Sequence, residues 1–275
     1  MSIITLTTDY GLKDHFVGAL KGKILSQYAE ATIIDISHEI DPFNTVEASY
    51  CVSAAYSSFP KGSIHLIGVD MERNKENQHI AMQWNDHYFI AADNGILSML
   101  SQKVYPQEIV AIDIHDQLDQ DAVDLDAFVF VACHLAKGGA LKTIGTPIDT
   151  LKEVTDLNAV LAIDGNSLKG HVVYIDHFGN VVTNISKEYF NQVAQGRPYE
   201  IILKTKNIKN ILPNYSAIAK NDKYPIKSYE GEKLAIFNEA GYLEIAIFRS
   251  NPSKVGSASS LLGLNYRDVI IIKFI

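Results

Sequence analysis

Three apolar runs near the start of the chain each stop at an acidic turn, and this recurrence limits the fold more than any other feature of the 275-residue sequence. Ile3-Ile4-Thr5-Leu6-Thr7-Thr8 runs into Asp9-Tyr10-Gly11-Leu12-Lys13-Asp14. Ala31-Thr32-Ile33-Ile34-Asp35-Ile36 runs into Ser37-His38-Glu39-Ile40-Asp41-Pro42-Phe43, and Ile64-His65-Leu66-Ile67-Gly68-Val69 ends at Asp70. Such short, nearly continuous apolar runs are what strands buried on both faces require. Between them the spacing becomes helical: Phe16, Ala19, Leu20 and Ile24 share one stripe of residues 14–27, and 45–59 carries an Ala, Cys and Tyr face. Alternation of this kind predicts an α/β N-terminal domain with a mostly parallel sheet. Open α/β sheets bind ligands beyond the carboxyl ends of their strands, which makes Asp9, Asp35 with His38, and Asp70 candidate cleft residues. The same side chains also suit turns and helix caps, and Asp14 is placed to cap or begin the first helix.

Further along, 79–84 and 87–92 read as a hairpin joined at Asn85-Asp86, followed by the polar turn Asp93-Asn94-Gly95 and a short apolar helix over 96–100. The aspartate-rich stretch 117–126 reads as an exposed loop. Residues 127–137 read as a helix stopped by Gly138-Gly139. Between about Leu151 and Leu168 the pattern changes to short β segments at 171–175, 180–185, 200–203, 233–238, 242–248 and 269–274, with an irregular surface loop over 213–229. This predicts an N-terminal domain over 1–155 and a smaller C-terminal all-β barrel domain over 165–275. Within the latter, Asp176-His177-Phe178-Gly179-Asn180 is a second acidic glycine turn. Asp176 and Asn180 offer an acceptor and an amide suited to an ammonium group or a purine edge, or they simply form a hairpin turn.

With 47% hydrophobic and 20% charged residues the chain can bury a core without staples. A net charge of −8, with no dense Lys/Arg block, argues against a phosphate-gripping nucleic-acid surface and favours a cationic or neutral small ligand. Cys51 and Cys133 lie in apolar helical patterns without metal-ligand spacing, so they read as buried thiols of a reduced compartment. No signal-like segment and no apolar run of membrane-spanning length is seen, and a cytoplasmic protein without a membrane partner is expected.

Thr8-Asp9-Tyr10-Gly11-x-x-Asp14, Asp35-Ile36-Ser37-His38-Glu39-Ile40, Gly68-Val69-Asp70, Asp93-Asn94-Gly95, Asp176-His177-Phe178-Gly179-Asn180-x-x-Thr183-Asn184-Ile185 and Asn238-x-x-Gly241-Tyr242-Leu243-Glu244-Ile245-Ala246 occur in this order over nearly the whole chain. Together they resemble the S-adenosyl-L-methionine (SAM) hydroxide adenosyltransferases, or SAM hydrolases, of the superfamily that also contains the fluorinases and chlorinases. The resemblance implies a homotrimer binding SAM or adenosine between the N-terminal domain of one subunit and the C-terminal domain of its neighbour. It implies Asp9 on the ribose hydroxyls, Asp14 near the methionine tail, Phe43 walling ribose and sulfonium, and Asp176 on the ammonium. Tyr215 would stack on adenine, Asn180, Asn238 and Glu239 would complete the purine and tail contacts, and His38 and Asn94 join the substrate-binding set. Asp70 and Asp124 would handle the water. SAM is then substrate, with no cofactor and no metal: water or hydroxide displaces methionine at C5′, and the protein positions, partly desolvates and deprotonates the nucleophile.

The chain departs from the family where water is activated. Asp70 is followed by Met71-Glu72 instead of Pro-Gly, Asn77 takes the place of an arginine, and Val123 takes the place of a histidine, with Arg73 and His79 nearby in sequence. The halogenating members place a serine near Asp124, and an aspartate there repels a halide. Three readings stand: a SAM hydrolase, a non-catalytic or very slow SAM/adenosine binder, and a metal-dependent phosphohydrolase built on strand-end Asp, Asn and His. The third has no phosphate-binding glycine loop behind it.

Overall fold

The structure is a computed structural model describing residues 2–101, 104–154, 158–204, 206–219 and 224–275. Two compact units divide the chain, Met1–Val154 and Thr155–Ile275.

The first unit runs β1 (Ile3–Thr8), α1 (Phe16–Gln27), β2 (Thr32–Ser37), α2 (Thr45–Ala55), β3 (Ile64–Gly68), β4 (His79–Trp84), β5 (His87–Ala92), α3 (Ile96–Ser101), β6 (Glu108–Ile112), α4 (Asp124–Ala136) and β7 (Gly145–Pro147). Its sheet has the order β2-β1-β3-β5-β4-β6-β7. β2, β1, β3 and β5 are parallel, whereas β4, β6 and β7 add antiparallel pairs. The parallel expectation therefore holds for the half of the sheet that carries the acidic turns. The β4–β5 hairpin begins the antiparallel half, its Asn85-Asp86 turn taking φ of 50° and 63° as a two-residue hairpin needs.

Both faces of this sheet are covered. Along β3, Ile64 and Leu66 pack in one cluster with Leu20, Ile24, Phe128 and Val131 of α1 and α4. Ile67, with Val69 just beyond the strand, packs in another with Ala48, Val52, Leu97 and Leu100 of α2 and α3. Alternation along a strand sends neighbouring side chains to opposite faces, which is why the run is apolar on both faces except at His65, whose ring nitrogens find Thr5 and His87.

Two helix starts differ from expectation. α1 begins at Phe16 with His15 at its N-cap position, where no side chain caps it, and Asp14 is exposed outside the helix. α4 begins at Asp124, inside the stretch expected to be loop. Asp126 Oδ2 accepts the Val123 N–H at 3.0 Å, and carboxylates in a first turn face the positive end of the helix dipole. Aspartates that looked like loop residues are thus first-turn residues.

The second unit runs β8 (Val160–Leu161), β9 (Ser167–Ile175), β10 (Val181–Ser186), α5 (Lys187–Ala194), β11 (Tyr199–Ile202), β12 (Asn207–Ile208), β13 (Ile211–Leu212), β14 (Lys233–Phe237), β15 (Tyr242–Ile247), α6 (Ala258–Leu262) and β16 (Val269–Phe274). The sheet order is β12-β11-β16-β9-β10-β15-β14-β13, with β8 added on β9, and all pairs but β13–β14 are antiparallel. β12 approaches β14 across the fold, so the sheet curls to a nearly barrel-like form. Ile270, Ile272 and Phe274 of β16 point into its core while Val269, Ile271 and Lys273 point out.

The unit is not all-β, because α5 and α6 interrupt the strands. Each helix is capped at its start by a serine, Ser186 Oγ accepting from Tyr189 N–H and Ser257 Oγ from Ser260 N–H. The expected loop over 213–229 holds two short 3₁₀ turns, Tyr215–Ile218 and Ile226–Tyr229, and residues 220–223 of it lie outside the described set.

Candidate functional site

Strand register brings the acidic turns of the first unit together. Thr8 pairs with Gly68 and Thr7 with Ser37, so β1, β2 and β3 end side by side. Past these ends the turns bond to one another: Gly11 N–H donates to the His38 carbonyl at 2.7 Å, and Phe43 N–H donates to Asp9 Oδ2 at 3.0 Å. Gly11 has φ 66°, which glycine adopts without cost. Phe43 also has a positive φ, 63°, and holds its ring 73% exposed. The aromatic is thus presented to solvent in an uncommon backbone state, with its amide fixed by a carboxylate.

His38 is placed behind this turn. It is buried, its Nδ1 lies 2.7 Å from Thr8 Oγ1, and its Nε2 lies 3.1 Å from Asp35 Oδ1 but off the line of a hydrogen bond. Burial opposes ionisation of Asp35, but Lys21 and His38 outweigh it and hold the carboxyl below its ordinary range. Tyr10 joins the β1 turn to the β3 loop, its hydroxyl donating to Met71 Sδ at 3.2 Å. Burial and the neighbouring Asp9 push this phenol up to about 12.

Asp70 begins that loop with φ 46°. The Asn94 amide donates to the Val69 carbonyl at 3.1 Å and the Asp70 carbonyl at 2.9 Å, which occupies the amide with backbone. Asp124 Oδ2 accepts the Arg73 N–H at 2.8 Å, and Asp124 Oδ1 stands 3.8 Å from His79 Nε2. His79 is wholly buried and bonds the Met71 carbonyl at 2.9 Å and His115 at 2.9 Å; burial brings its pKa down to about 4. Structure thus joins Arg73 and His79 to Asp124. Asn77 Oδ1 receives the Lys152 ammonium at 3.1 Å, and Val123 is exposed at the α4 N-cap position.

Four of the residues singled out in the second unit form one network. Asp176 accepts from Asn180 twice, the backbone N–H at 2.8 Å and the side-chain amide at 2.9 Å. The same amide lies 3.2 Å from Tyr215 Oη, the Tyr215 hydroxyl donates to Glu244 Oε1, and the Asn238 amide donates to Glu244 Oε2 at 3.2 Å. Gly179 is required in the turn: at φ 71°, a Cβ there would stand 2.3 Å from Ser257 Cβ. Glu239 is exposed beside the network and takes no described part in it.

Glu244, the hub, was not among the expected residues. Its signal was present, since a glutamate interrupts the apolar run Tyr242-Leu243-Glu244-Ile245-Ala246 at a position that proves 6% exposed. Burial and Asp176 raise its pKa; burial and Glu244 raise that of Tyr215. Two carboxyl groups in one half-buried network attract a cationic or hydrogen-bond-donating ligand. Among the described residues, no three His, Cys, Asp or Glu side chains group closely enough to hold a metal ion, and no helix is long and apolar enough to cross a membrane.

Comparison with known proteins matches residues 4–145 to the SAM hydroxide adenosyltransferase N-terminal domain and residues 170–271 to the SAM hydroxide adenosyltransferase C-terminal domain. An (R)-S-adenosyl-L-methionine hydrolase of Methanocaldococcus jannaschii is 32% identical, with 99% of this chain and 96% of that protein covered. A fluorinase of Actinopolyspora mzabensis is 23% identical, with 89% and 90% covered. The crystal structure of an uncharacterized conserved protein from Thermotoga maritima superposes with a TM-score of 0.80 at 28% identity, covering 99% of this chain and all of that one.

Proposed function

The chain belongs to the SAM hydroxide adenosyltransferase family, and from that premise we propose that it hydrolyses S-adenosyl-L-methionine to adenosine and L-methionine. The observation that carries the reading is the placement of Asp9 and Asp70 just past the register-matched ends of β1 and β3, the side of a parallel sheet where ligands bind. Asp9 accepts the ribose hydroxyls with the oxygen its Phe43 bond leaves over, and the exposed Phe43 ring shields ribose and sulfonium from water. Asp70 orients the attacking water and takes its proton. The water oxygen bonds to C5′, the C5′–S bond breaks, and its electron pair neutralises the sulfonium, so methionine leaves without help from a cofactor. Asp14 lies toward the methionine tail. The Asp176, Asn180, Tyr215 and Asn238 network, with Glu239 beside it, supplies tail and purine contacts from a neighbouring subunit of a homotrimer.

One observation favours a second reading, a SAM or adenosine binder without useful turnover: Asn77 and Val123 stand where the family has an arginine and a histidine. Incubation of purified protein with SAM, chromatographic separation of adenosine and SAM, and calorimetric titration separate the two. Adenosine well above the uncatalysed background supports hydrolysis; tight binding with none establishes the binder.

A further inference from the structure

We infer that Asp124 and His79 are positioning residues that fix the backbone of the loop presenting Asp70, and that turnover depends on them through that loop alone. This rests on the hydrolase reading and on Asp70 as its water-orienting group.

The loop leaving β3 is held at nearly every residue. Asn94 takes the Val69 and Asp70 carbonyls, His79 takes the Met71 carbonyl, Tyr10 takes the Met71 sulfur, and Asp124 takes the Arg73 N–H. Asp70 sits among these anchors at φ 46°, a state a non-glycine residue keeps only when its surroundings over-determine it. The anchors themselves are rigid: His79 is at the start of β4 and wholly buried against Phe128 of α4, and Asp124 opens α4.

The hydrogen bonds also define the state of His79. A carbonyl can only accept, so Nε2, 2.9 Å from the Met71 oxygen, carries the hydrogen. Nδ1 of the neutral ring is then an acceptor, and His115 Nε2–H donates to it at 2.9 Å. With its one ring hydrogen given to the Met71 carbonyl, His79 has none to offer water. Asp124 is likewise turned to the backbone, with Oδ2 on Arg73 N–H. His79 is thus not poised as a general acid, Asp124 spends Oδ2 on the backbone with Oδ1 3.8 Å from His79 Nε2, and both grip the loop from behind.

Displacement of a reacting group by about 1 Å is enough to cost on the order of 100-fold in rate. Asp124→Ala and His79→Ala are therefore expected to lower kcat by roughly that factor with KM and the calorimetric Kd for SAM little changed. Asp124→Asn, whose amide oxygen can still accept the Arg73 N–H, recovers at least about tenfold of the loss, and His79→Gln, with a donor for the Met71 carbonyl, recovers part of it. Amide hydrogen exchange over residues 69–73, read without substrate, rises in both alanine variants and returns toward wild type in Asp124→Asn.

Equal loss of kcat in Asp124→Asn and Asp124→Ala, with exchange unchanged in both, would make Asp124 a proton-handling group and overturn the proposal. Loss of SAM affinity matching the loss of kcat would overturn it as well. Wild-type protein that forms no adenosine defeats the hydrolase reading and with it the part assigned to the clamp in turnover. A null exchange result in an active wild type defeats the clamp and leaves the hydrolase reading standing.

Discussion

Acid should destabilise the first unit through His65, and the size of the effect follows from where that ring lies. His65 is in the middle of β3 with no exposed surface, its Nδ1 2.7 Å from Thr5 Oγ1 and its Nε2 3.1 Å from His87 Nδ1. Phe89 stacks on it, and Tyr56 and Phe59 meet its edges. Burial, together with the charge of His87, brings its pKa from 6.5 down to about 3. The folded ring therefore stays neutral where the unfolded one takes a proton. Stability from this group is complete above pH 6.5 and is lost as pH falls from there toward 3, at about 1.4 kcal/mol per pH unit. At pH 5 the loss from His65 alone is about 2 kcal/mol, a large fraction of an ordinary domain's stability. His65→Asn keeps a polar atom near the Thr5 hydroxyl but cannot titrate. Urea unfolding followed by Trp84 fluorescence reads the right region, because this single tryptophan packs on Tyr56 and Phe89 in the same aromatic cluster. The variant is expected to be less stable than wild type near pH 7.5, yet to lose about 2 kcal/mol less on going to pH 5. An identical pH-dependent loss in both proteins would show that His65 does not titrate in this range and refute the reasoning.

At the proposed ribose contact, Asp9→Ala removes a charged acceptor and frees the Phe43 amide, so calorimetry should find SAM bound about 10–100-fold more weakly. Asp70→Asn is expected to keep the affinity and lower kcat by roughly 10²–10⁴; equal loss of binding in both variants contradicts the division of roles. Gly95→Ala should destabilise the first unit by about 1–3 kcal/mol in urea titrations, since at φ 100° the new Cβ would stand 2.2 Å from Val154 Cγ2, and an unchanged midpoint would mean that the 151–154 segment yields freely. Tyr215→Phe takes the hydroxyl donor from buried Glu244 and should cost the second unit about 1–3 kcal/mol by thermal unfolding, with no change in midpoint counting against Glu244 as the hub.

Where side-chain pattern alone decides structure, the sequence was easy to read. Apart from His65, the β3 run Ile64 to Val69 carries no polar side chain on either face because helices cover both, and Asn85-Asp86 supplies the positive φ of a tight hairpin. β6 and β7 were not predicted; β7 spans three residues, and the place of both strands comes from pairing with β4 and with each other. α5 and α6 were missed for a similar reason: each spans eight residues or fewer, and what starts them is a serine cap that also suits a turn.

Strand ends and their acidic turns were determined by the sequence itself, since apolar periodicity locates a strand and a carboxylate cannot stay in it unpaired. Asp9, Asp70, Asp176 and Asn180 were legible in this way as cleft candidates. The division of labour among those candidates was decided only by tertiary structure. Whether Asp124, His79 or Asn94 faces a ligand or grips a backbone depends on partners from 8 to 51 residues away, and whether Glu244 is a surface charge or a buried hub depends on Tyr215, 29 residues away. Hydrogen bonds act over about 3 Å between groups that only folding brings together, so no local pattern encodes them.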